Sequence, residues 1–294
     1  MVESPQSVAN LLEAQMWDAY KQEPVAAVDG LPYLFLADAE SGEYVLSSRD
    51  TPHRVASSWF LNGLGGQKKG QAFLSEVPPR LFAALADPVS LLFGFWFAQW
   101  IKGEVVADHK LARSALGRIV ARNAERVHRG GVQFDGNFAN ETGGEAVDAA
   151  SVGTGMIPFS DTNADQFMAE SVTLHLDLRA SRLRTLAAIP VIGPEVAQLS
   201  QSLFWHVVAS LLDVGELDLR TEAIFDIVSD LDITTDGTGL EAAIAAYNKK
   251  RPEALAKFPM FAETLGQFEE PYGSGDGVRY RMSTKVAKSK AKAE

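Results

Sequence analysis

One short segment alternates between apolar and polar side chains with a period of two. In residues 172–178, valine or leucine occupies every second position and polar residues lie between them, which predicts a strand with one buried face. Residues 193–213 instead repeat their apolar side chains with the period of a helix, and Gly215 is the expected stop. Because the chain mixes such runs without strict βαβ alternation, we predict an α+β fold rather than a doubly wound parallel sheet.

Patterning and turn residues predict further elements along the chain. These elements are helices at residues 4–20, 55–61, 79–86, 89–100 and 240–249, a hairpin with strands at 31–37 and 43–48, and a kinked strand at 217–228. Residues 116–127 fit either a strand or a helix. Residues 130–165 are rich in Gly, Asn, Asp and Thr and predict a long loop or a weak hairpin.

The most apolar run, residues 89–101, predicts a buried core helix. Its 13 residues would rise only ~20 Å as a helix, short of the ~30 Å hydrocarbon layer of a bilayer. The N-terminus has neither a basic region nor an apolar run, so no signal peptide is expected. The absence of cysteine fits a reducing compartment. Together these features indicate a cytoplasmic protein without a membrane partner.

Charge is unevenly distributed along the chain. The 294 residues include 27 lysines and arginines against 38 acidic residues, for a formal net charge of −11. Residues 109–132 hold six positive charges and one negative, and residues 279–294 hold the same numbers. A local basic face that meets a polyanion is therefore indicated, rather than a surface that coats nucleic acid everywhere. The lysine-rich end alone is predicted to be a disordered tail.

Three arginines in the first basic window share a spacing of four residues. Arg118, Arg122 and Arg126 fall on one face whether the segment is a helix or a strand. Arg113 and Arg129 lie close by in sequence. Guanidinium groups suit phosphate oxygens and can stack on bases. We expect this face to bind a polyanion; a solvated face with scattered ion pairs is the alternative.

The sequence contains no recognisable catalytic set. A glycine-rich loop with Lys68 and Lys69 has the spacing of a phosphate-binding loop, but Gln71 and Ala72 replace the residues that such a loop needs. A solvated loop, or a clamp of the two lysines on a nucleic-acid backbone, is expected instead. The five histidines show no metal spacing, and His175 is predicted to face solvent. Neither a cofactor nor a metal is predicted.

An ordered set of short segments covers roughly residues 1–230. The set comprises residues 2–14 with Trp17-Asp18, Gly30-Leu-Pro-Tyr33, His53-Arg54, and residues 87–97, 111–121, 130–135 and 153–159, before a strand, a long helix and a final strand. It resembles the RAMP-type backbone subunit of type I-G (formerly I-U) CRISPR surveillance complexes. No single segment is a sharp signature, and the specificity lies in their order.

The resemblance implies an RRM-like (ferredoxin-like) palm with insertions over residues 1–235. It also implies a thumb-like insertion at about 130–165. Beyond the segments that carry the resemblance, we predict a C-terminal helix and loop at 236–278 that pack on the palm, followed by the basic tail at 279–294. Such subunits are non-catalytic, and several copies stack along one CRISPR RNA, leaving segments of the guide free to pair with target DNA. The other partners that it implies are further surveillance-complex subunits and a helicase-nuclease.

On the matched segments, the resemblance implies RNA contacts from two basic groups. The first group, on or beside the palm, is Arg113, Arg118, Arg122 and Arg126, and the second is His53, Arg54, Lys68 and Lys69. Arg129, which lies close to the first group in sequence, is a further candidate. Aromatic residues of the insertion, Phe134, Phe138 and Phe159, could stack on bases; the core of a small hairpin is the alternative.

The chain departs from the family pattern at its start. Family members begin with a palm strand before the helix that here starts at Ser4, so either a start further upstream or another element in the sheet is expected. Two other functions stay open. A metal-dependent RAMP-type ribonuclease would need a loop carboxylate such as Asp135, Asp148 or Asp161, and an unrelated small-molecule enzyme would use a pocket under the glycine-rich loop.

Overall fold

The protein has an α+β fold, as the sequence predicts. The structure is a computed structural model that describes residues 2–64, 77–102, 105–127, 131–133, 157–159, 166–219, 223–272 and 277–284. Within these ranges the helices are α1 Pro5–Ala14, α2 Ser58–Gly63, α3 Pro79–Ala86, α4 Val89–Phe93, α5 Ala180–Ala187, α6 Gly193–Val214, α7 Leu240–Ala256 and α8 Pro259–Gly266. None of the helices in the part of the chain that the structure describes is long and apolar enough to cross a membrane.

The strands are short and form several small sheets. They are β1 Trp17–Asp18, β2 Glu23–Pro24, β3 Tyr33–Asp38, β4 Tyr44–Ser47, β5 Phe95–Lys102, β6 Val105–Leu111, β7 Ala115–Arg122, β8 Glu125–Val127, β9 Gly131–Gln133, β10 Ile157–Phe159, β11 Gln166–Met168, β12 Ser171–Leu178, β13 Glu216–Asp218, β14 Ile224–Asp226, β15 Glu269–Pro271 and β16 Val278–Thr284. The chain divides into two compact units. One comprises Met1–Val2 and Ile119–His175, and the other comprises Glu3–Arg118 and Leu176–Glu294.

The largest sheet, in the second unit, has four strands in the order β15-β16-β3-β4. β16 lies parallel to β3, with Tyr280 opposite Leu34 and Met282 opposite Leu36. All four of these side chains are buried. Because an interior strand of a sheet pairs on both edges, β16 is an integral part of this core.

The predicted disordered tail is therefore wrong for residues 279–284. The prediction followed the charge of Arg279 and Arg281, but the apolar Tyr280 and Met282 alternate with them and point into the core. Both arginines contact Glu270 of β15, so their charge is paired at the sheet surface. Residues 285–294 lie outside the described part of the chain.

The predicted helix at 89–100 is also wrong in its second half. α4 ends at Phe93, because Gly94 adopts a left-handed φ of 75°. From there the chain continues as β5, in which Phe95 and Phe97 are buried while Trp96 is 55% exposed. The alternation of the aromatic side chains marks a strand, but it is hidden in a run of almost continuous apolar residues.

The structure decides three smaller predictions. Residues 116–127 form β7 and β8, so the strand alternative is confirmed. The predicted kinked strand at 217–228 is a hairpin in which β13 pairs antiparallel with β14. α7 continues through Pro252, because Tyr247 and Arg251 anchor it by donating to the carbonyls of Ala84 and Leu85.

The remaining sequence predictions of regular structure are confirmed in outline. Ser4 caps α1 by accepting a hydrogen bond from the Ser7 amide, although the helix ends at Ala14 instead of extending to residue 20. β3 and β4 pair as a hairpin. β12 shows the predicted alternation between half-buried and exposed residues, and α6 ends at Gly215, whose φ is 71°.

The first unit is built from short antiparallel pairs. β8 pairs with β11, with Arg126 opposite Phe167, and β9 pairs with β10, with Val132 opposite Pro158. This second pair supports the hairpin alternative for residues 130–165, most of which lie outside the described ranges. The amide of Val2 donates to the carbonyl of Ile119.

Close packing in the second unit requires a glycine in β7. A Cβ atom on Gly117 would lie 2.2 Å from Cγ1 of Val8 in α1 and 3.0 Å from Cδ2 of Leu176 in β12. Helix α1 therefore packs directly against the backbone of β7. Any larger residue at this position must push the helix away.

We expect Gly117→Ala to destabilise the protein by about 1–3 kcal/mol through overpacking. Val8→Ala removes the methyl group that the new Cβ would meet, so the double variant should be less destabilised than the sum of the two single variants. Urea unfolding of the four proteins measures this coupling, which we expect to be at least about 0.5 kcal/mol. Additive losses would show that α1 does not lie against Gly117.

Candidate nucleic-acid interface

A cleft of about 410 Å³ in the second unit collects basic side chains. Among the residues that the structure describes, its lining includes no aspartate or glutamate, although the whole chain carries a net charge of −11. The basic residues that line it are His53, Arg54, Lys110, Arg113 and Arg179. A concave surface lined by one sign of charge concentrates ligands of the opposite sign, so this cleft is suited to an anion.

The floor of the cleft depends on a glycine between α4 and β5. A Cβ atom on Gly94 would lie 2.5 Å from the carbonyl oxygen of Leu111 and 2.9 Å from the Arg113 amide nitrogen. The absence of a side chain at this position lets the end of β6 approach the start of β5. In the resulting pair, Trp96 lies opposite Lys110, which places an exposed aromatic ring beside an exposed cation at the cleft.

Arg54 forms the inner wall of the cleft through a bidentate ion pair. Its Nε and Nη2 atoms each donate to a carboxylate oxygen of Glu13 at 2.5 Å, and its Nη1 atom donates to the Gly94 carbonyl at 3.1 Å. The backbone of Arg54 has a φ of 51°, a conformation that costs a non-glycine residue on the order of 1–3 kcal/mol. These three hydrogen bonds hold the side chain in place against that cost.

The electrostatics of this pair extend to Arg113. Burial raises the pKa of the Glu13 carboxyl, and Arg54 offsets only part of that rise. Burial and the neighbouring charge of Arg54 lower the pKa of the Arg113 guanidinium, which still stays protonated at neutral pH. Among the described residues, no carboxylate lies within 4.0 Å of the Arg113 guanidinium. A bound anion would therefore relieve the repulsion between Arg113 and Arg54.

The structure brings three of the predicted residues together and leaves others apart. His53, Arg54 and Arg113 line the cleft. Arg118 and Arg122 are exposed on β7, but β7 ends at Arg122 and Asn123 follows with a left-handed φ of 46°. The predicted row of three arginines is thus interrupted before Arg126, which belongs to β8. The remaining predicted RNA contacts lie outside the described residues: Lys68, Lys69, Arg129, Phe134 and Phe138.

Three residues of the cleft were not predicted from the sequence. Lys110 belongs to the basic window, but only the pairing of β5 with β6 assigns it to the cleft. Trp96 was hidden in the apolar run at 89–101. Arg179 directly follows β12, and its amide donates to the Ser114 carbonyl. This contact spans about sixty residues of sequence and leaves no local pattern.

No group of three or more histidine, aspartate or glutamate side chains is placed to hold a metal ion within the described ranges. His175 and Asp177 are exposed on β12, as the sequence predicts. Asp135, Asp148 and Asp161, the candidates for a ribonuclease, lie outside the described residues.

The raised pKa of Glu13 predicts a pH dependence of stability. Between the ordinary pKa of glutamate and the raised value, the folded protein holds a proton on Glu13 that the unfolded chain has lost. Stability from this group is therefore present at low pH and decreases as pH rises through that window. We therefore compare the unfolding free energy of wild type with that of Glu13→Gln, and we expect the advantage of wild type to decrease as pH rises above about 4.5. Urea unfolding of both proteins at several pH values measures this difference. A difference that instead increases with pH would show that the ion pair outweighs burial.

Comparison with known proteins agrees with a role in a CRISPR system. Residues 1–126 match the family model described as CRISPR-associated protein GSU0053 (Cas_GSU0053), and a search of curated proteins found no match. The matched segment is somewhat less than half of the chain and, of the basic residues described in the cleft, contains all but Arg179. This similarity supports a CRISPR-associated protein.

Proposed function

We propose that this protein is a non-catalytic, guide-RNA-binding backbone subunit of a type I-G CRISPR surveillance complex. The observation that carries the proposal is the basic cleft, whose lining, in the described part of this acidic chain, has four cations, a histidine and no carboxylate. The match of residues 1–126 to a CRISPR-associated family supplies the context. Guide RNA is the polyanion that this context makes most relevant.

The cleft residues suit an RNA backbone of any sequence. Arg113 and Arg179 carry guanidinium forks that match phosphate oxygens, and Lys110 adds a compact charge. Contacts to phosphates fix the position of a strand without reading its bases. Trp96 presents an exposed ring on which a base of any identity can stack.

The order of elements supports an RRM-like palm. Helix α1, the paired strands β7 and β12, and helix α6 occur along the chain in the order helix, strand, strand and helix, with other elements inserted between them. This order is that of the middle of a βαββαβ unit. Helix α1 contacts β7 at Gly117 and also packs against α6. The palm assignment, and a thumb-like insertion at about 130–165, remain part of the proposal.

In the proposed assembly, several copies of the chain lie along one guide RNA. The guide pairs with the target DNA strand, so the protein itself needs no sequence specificity. Other surveillance-complex subunits and a helicase-nuclease complete the complex and supply target cleavage.

The first experiment measures binding of a fluorescent single-stranded RNA over about 50 to 500 mM salt. We expect Lys110→Ala/Arg113→Ala/Arg179→Ala to weaken binding at least about tenfold. Because each lost phosphate contact on a single strand removes about 0.7 from the slope of log K against log salt, the slope should become shallower by about 2. Circular dichroism and thermal unfolding check that the variant is folded.

The matched control removes three charges from exposed residues that do not line the cleft. Lys21→Ala/Arg184→Ala/Lys257→Ala should bind RNA nearly as well as wild type, because it loses the same number of positive charges as the cleft variant but loses them outside the cleft. Equal weakening by both triple variants would indicate that RNA responds to the overall charge of the protein and not to a defined site.

Two outcomes would favour the other functions. Folded wild type that does not bind RNA would reject the proposal and favour a small-molecule enzyme. RNA cleavage that requires a divalent cation would favour the ribonuclease.

A second experiment separates stacking from charge. Trp96→Leu keeps an apolar side chain at an exposed position but removes the aromatic face. We expect about a tenfold loss of RNA affinity, since stacking on one ring contributes about 1–3 kcal/mol per base, with an unchanged salt slope. The same titrations measure both quantities. An unchanged affinity would remove Trp96 from the interface.

A further inference from the structure

A stretch of sequence without acidic residues continues from the wall of the basic cleft. Residues 51–75 contain no aspartate or glutamate, although the whole chain has 38 of them. The same stretch contains His53, Arg54, Lys68 and Lys69, of which the two lysines lie outside the described residues. A polyanion that follows this stretch therefore meets no repulsion from its side chains.

Helix α2, which belongs to this stretch, is fixed firmly on the core of the second unit. Phe60 is fully buried, and the helix packs against β3 and β16. A Cβ atom on Gly63 would lie 2.7 Å from Sδ of Met282 in β16, so the backbone of α2 lies directly on the sheet. Side chains on the outer face of α2 are therefore carried by a rigid support, which suits a binding site.

The outer face of α2 presents an uncovered aromatic ring beside an amide. Trp59 is 50% exposed, and Asn62 is also exposed. Residues three apart are neighbours on a helix surface. The ring of Trp17 packs against Tyr33 and Tyr44, whereas no aromatic ring packs against Trp59 among the described residues. The face thus offers a flat apolar surface next to a group that both donates and accepts hydrogen bonds.

This face adjoins the basic cleft. The helical turn Arg54–Ala56 leads into α2, and the amide of Ser57 donates to the carbonyl of Arg54 at 3.1 Å. Because helical side chains tilt toward the N-terminus of their helix, Trp59 leans toward this turn. His53 and Arg54 of the turn line the cleft. A strand that leaves the cleft beside His53 therefore meets Trp59 next.

We propose that Trp59 and Asn62 form a base-binding platform for the RNA strand whose phosphates the basic cleft holds. The proposal rests on the proposed function, because the cleft delivers the strand. A base stacks on the ring of Trp59, as every base can, and its edge exchanges hydrogen bonds with the amide of Asn62. An amide carries both donors and acceptors, so the platform accepts bases of different identity. A protein partner is the other use of an exposed tryptophan, but the acid-free surroundings and the adjoining cleft favour RNA.

The test measures the affinity of each protein for two strands. One is a single-stranded RNA of about ten nucleotides, and the other is an abasic sugar-phosphate strand of the same length. Trp59→Leu removes the aromatic face, and Asn62→Ala keeps the ring and removes the amide. Tyr20→Leu removes an aromatic side chain that is 97% exposed and does not line the cleft, so it serves as the matched control. Circular dichroism checks that each variant is folded.

We expect Trp59→Leu to reduce the preference for the base-containing strand by about tenfold. Asn62→Ala should reduce it by about threefold, and Tyr20→Leu should leave it unchanged. The affinity for the abasic strand should be equal in all four proteins, because the cleft is intact in each. Trp59→Leu combined with Trp96→Leu should lose more preference than either single variant, since the two rings hold different bases.

Three results would overturn the platform proposal. An unchanged preference in Trp59→Leu would do so and leave the cleft proposal intact; if that variant is unfolded, an unchanged preference in Asn62→Ala decides instead. A Trp59→Leu variant that binds the short RNA normally but assembles fewer copies on a longer RNA would assign Trp59 to a protein contact. If wild type binds neither strand, the proposed function fails and the platform proposal with it.

Discussion

The ion pair between Arg54 and Glu13 connects the elements on which the candidate site depends. It joins α1 to the turn before α2, and through the Gly94 carbonyl it reaches the junction of α4 and β5. A charge pair with this degree of burial gains little net stability over apolar packing, but breaking it by removing one partner costs about 3–5 kcal/mol. Its main effect is therefore on geometry, because it holds α1, the turn before α2 and the junction of α4 and β5 together at one wall of the cleft.

The same pair explains why the cleft stays cationic. Glu13 neutralises Arg54 from behind and does not line the cleft itself. Arg113 faces Arg54 without a carboxylate partner in the described part of the chain, so the wall keeps an excess of positive charge. Repulsion between the two guanidiniums destabilises the free protein, and a phosphate bound between them would relieve this repulsion and so bind more tightly.

The α+β class and most local elements are predictable from the sequence, because they depend on the spacing of apolar residues and on the residues that cap helices. Sequence reasoning found His53, Arg54 and Arg113 through the basic window and through family resemblance. It missed β16, since the charges of Arg279 and Arg281 disguised a strand in which only Tyr280 and Met282 are buried. It also missed Trp96 and Arg179, because the pairing that brings them to the cleft is long-range and leaves no mark on neighbouring residues.

The acidic body and the basic cleft are parts of one electrostatic arrangement. With a net charge of −11, the chain as a whole repels a polyanion, so an anionic ligand is favoured only where cations outnumber carboxylates locally, as they do among the described residues that line the cleft. Screening at physiological salt limits this repulsion to about 8 Å. Under the proposed function, the cations of the cleft would therefore supply the affinity for a strand, and the walls that Arg54 and Gly94 set would fix its position.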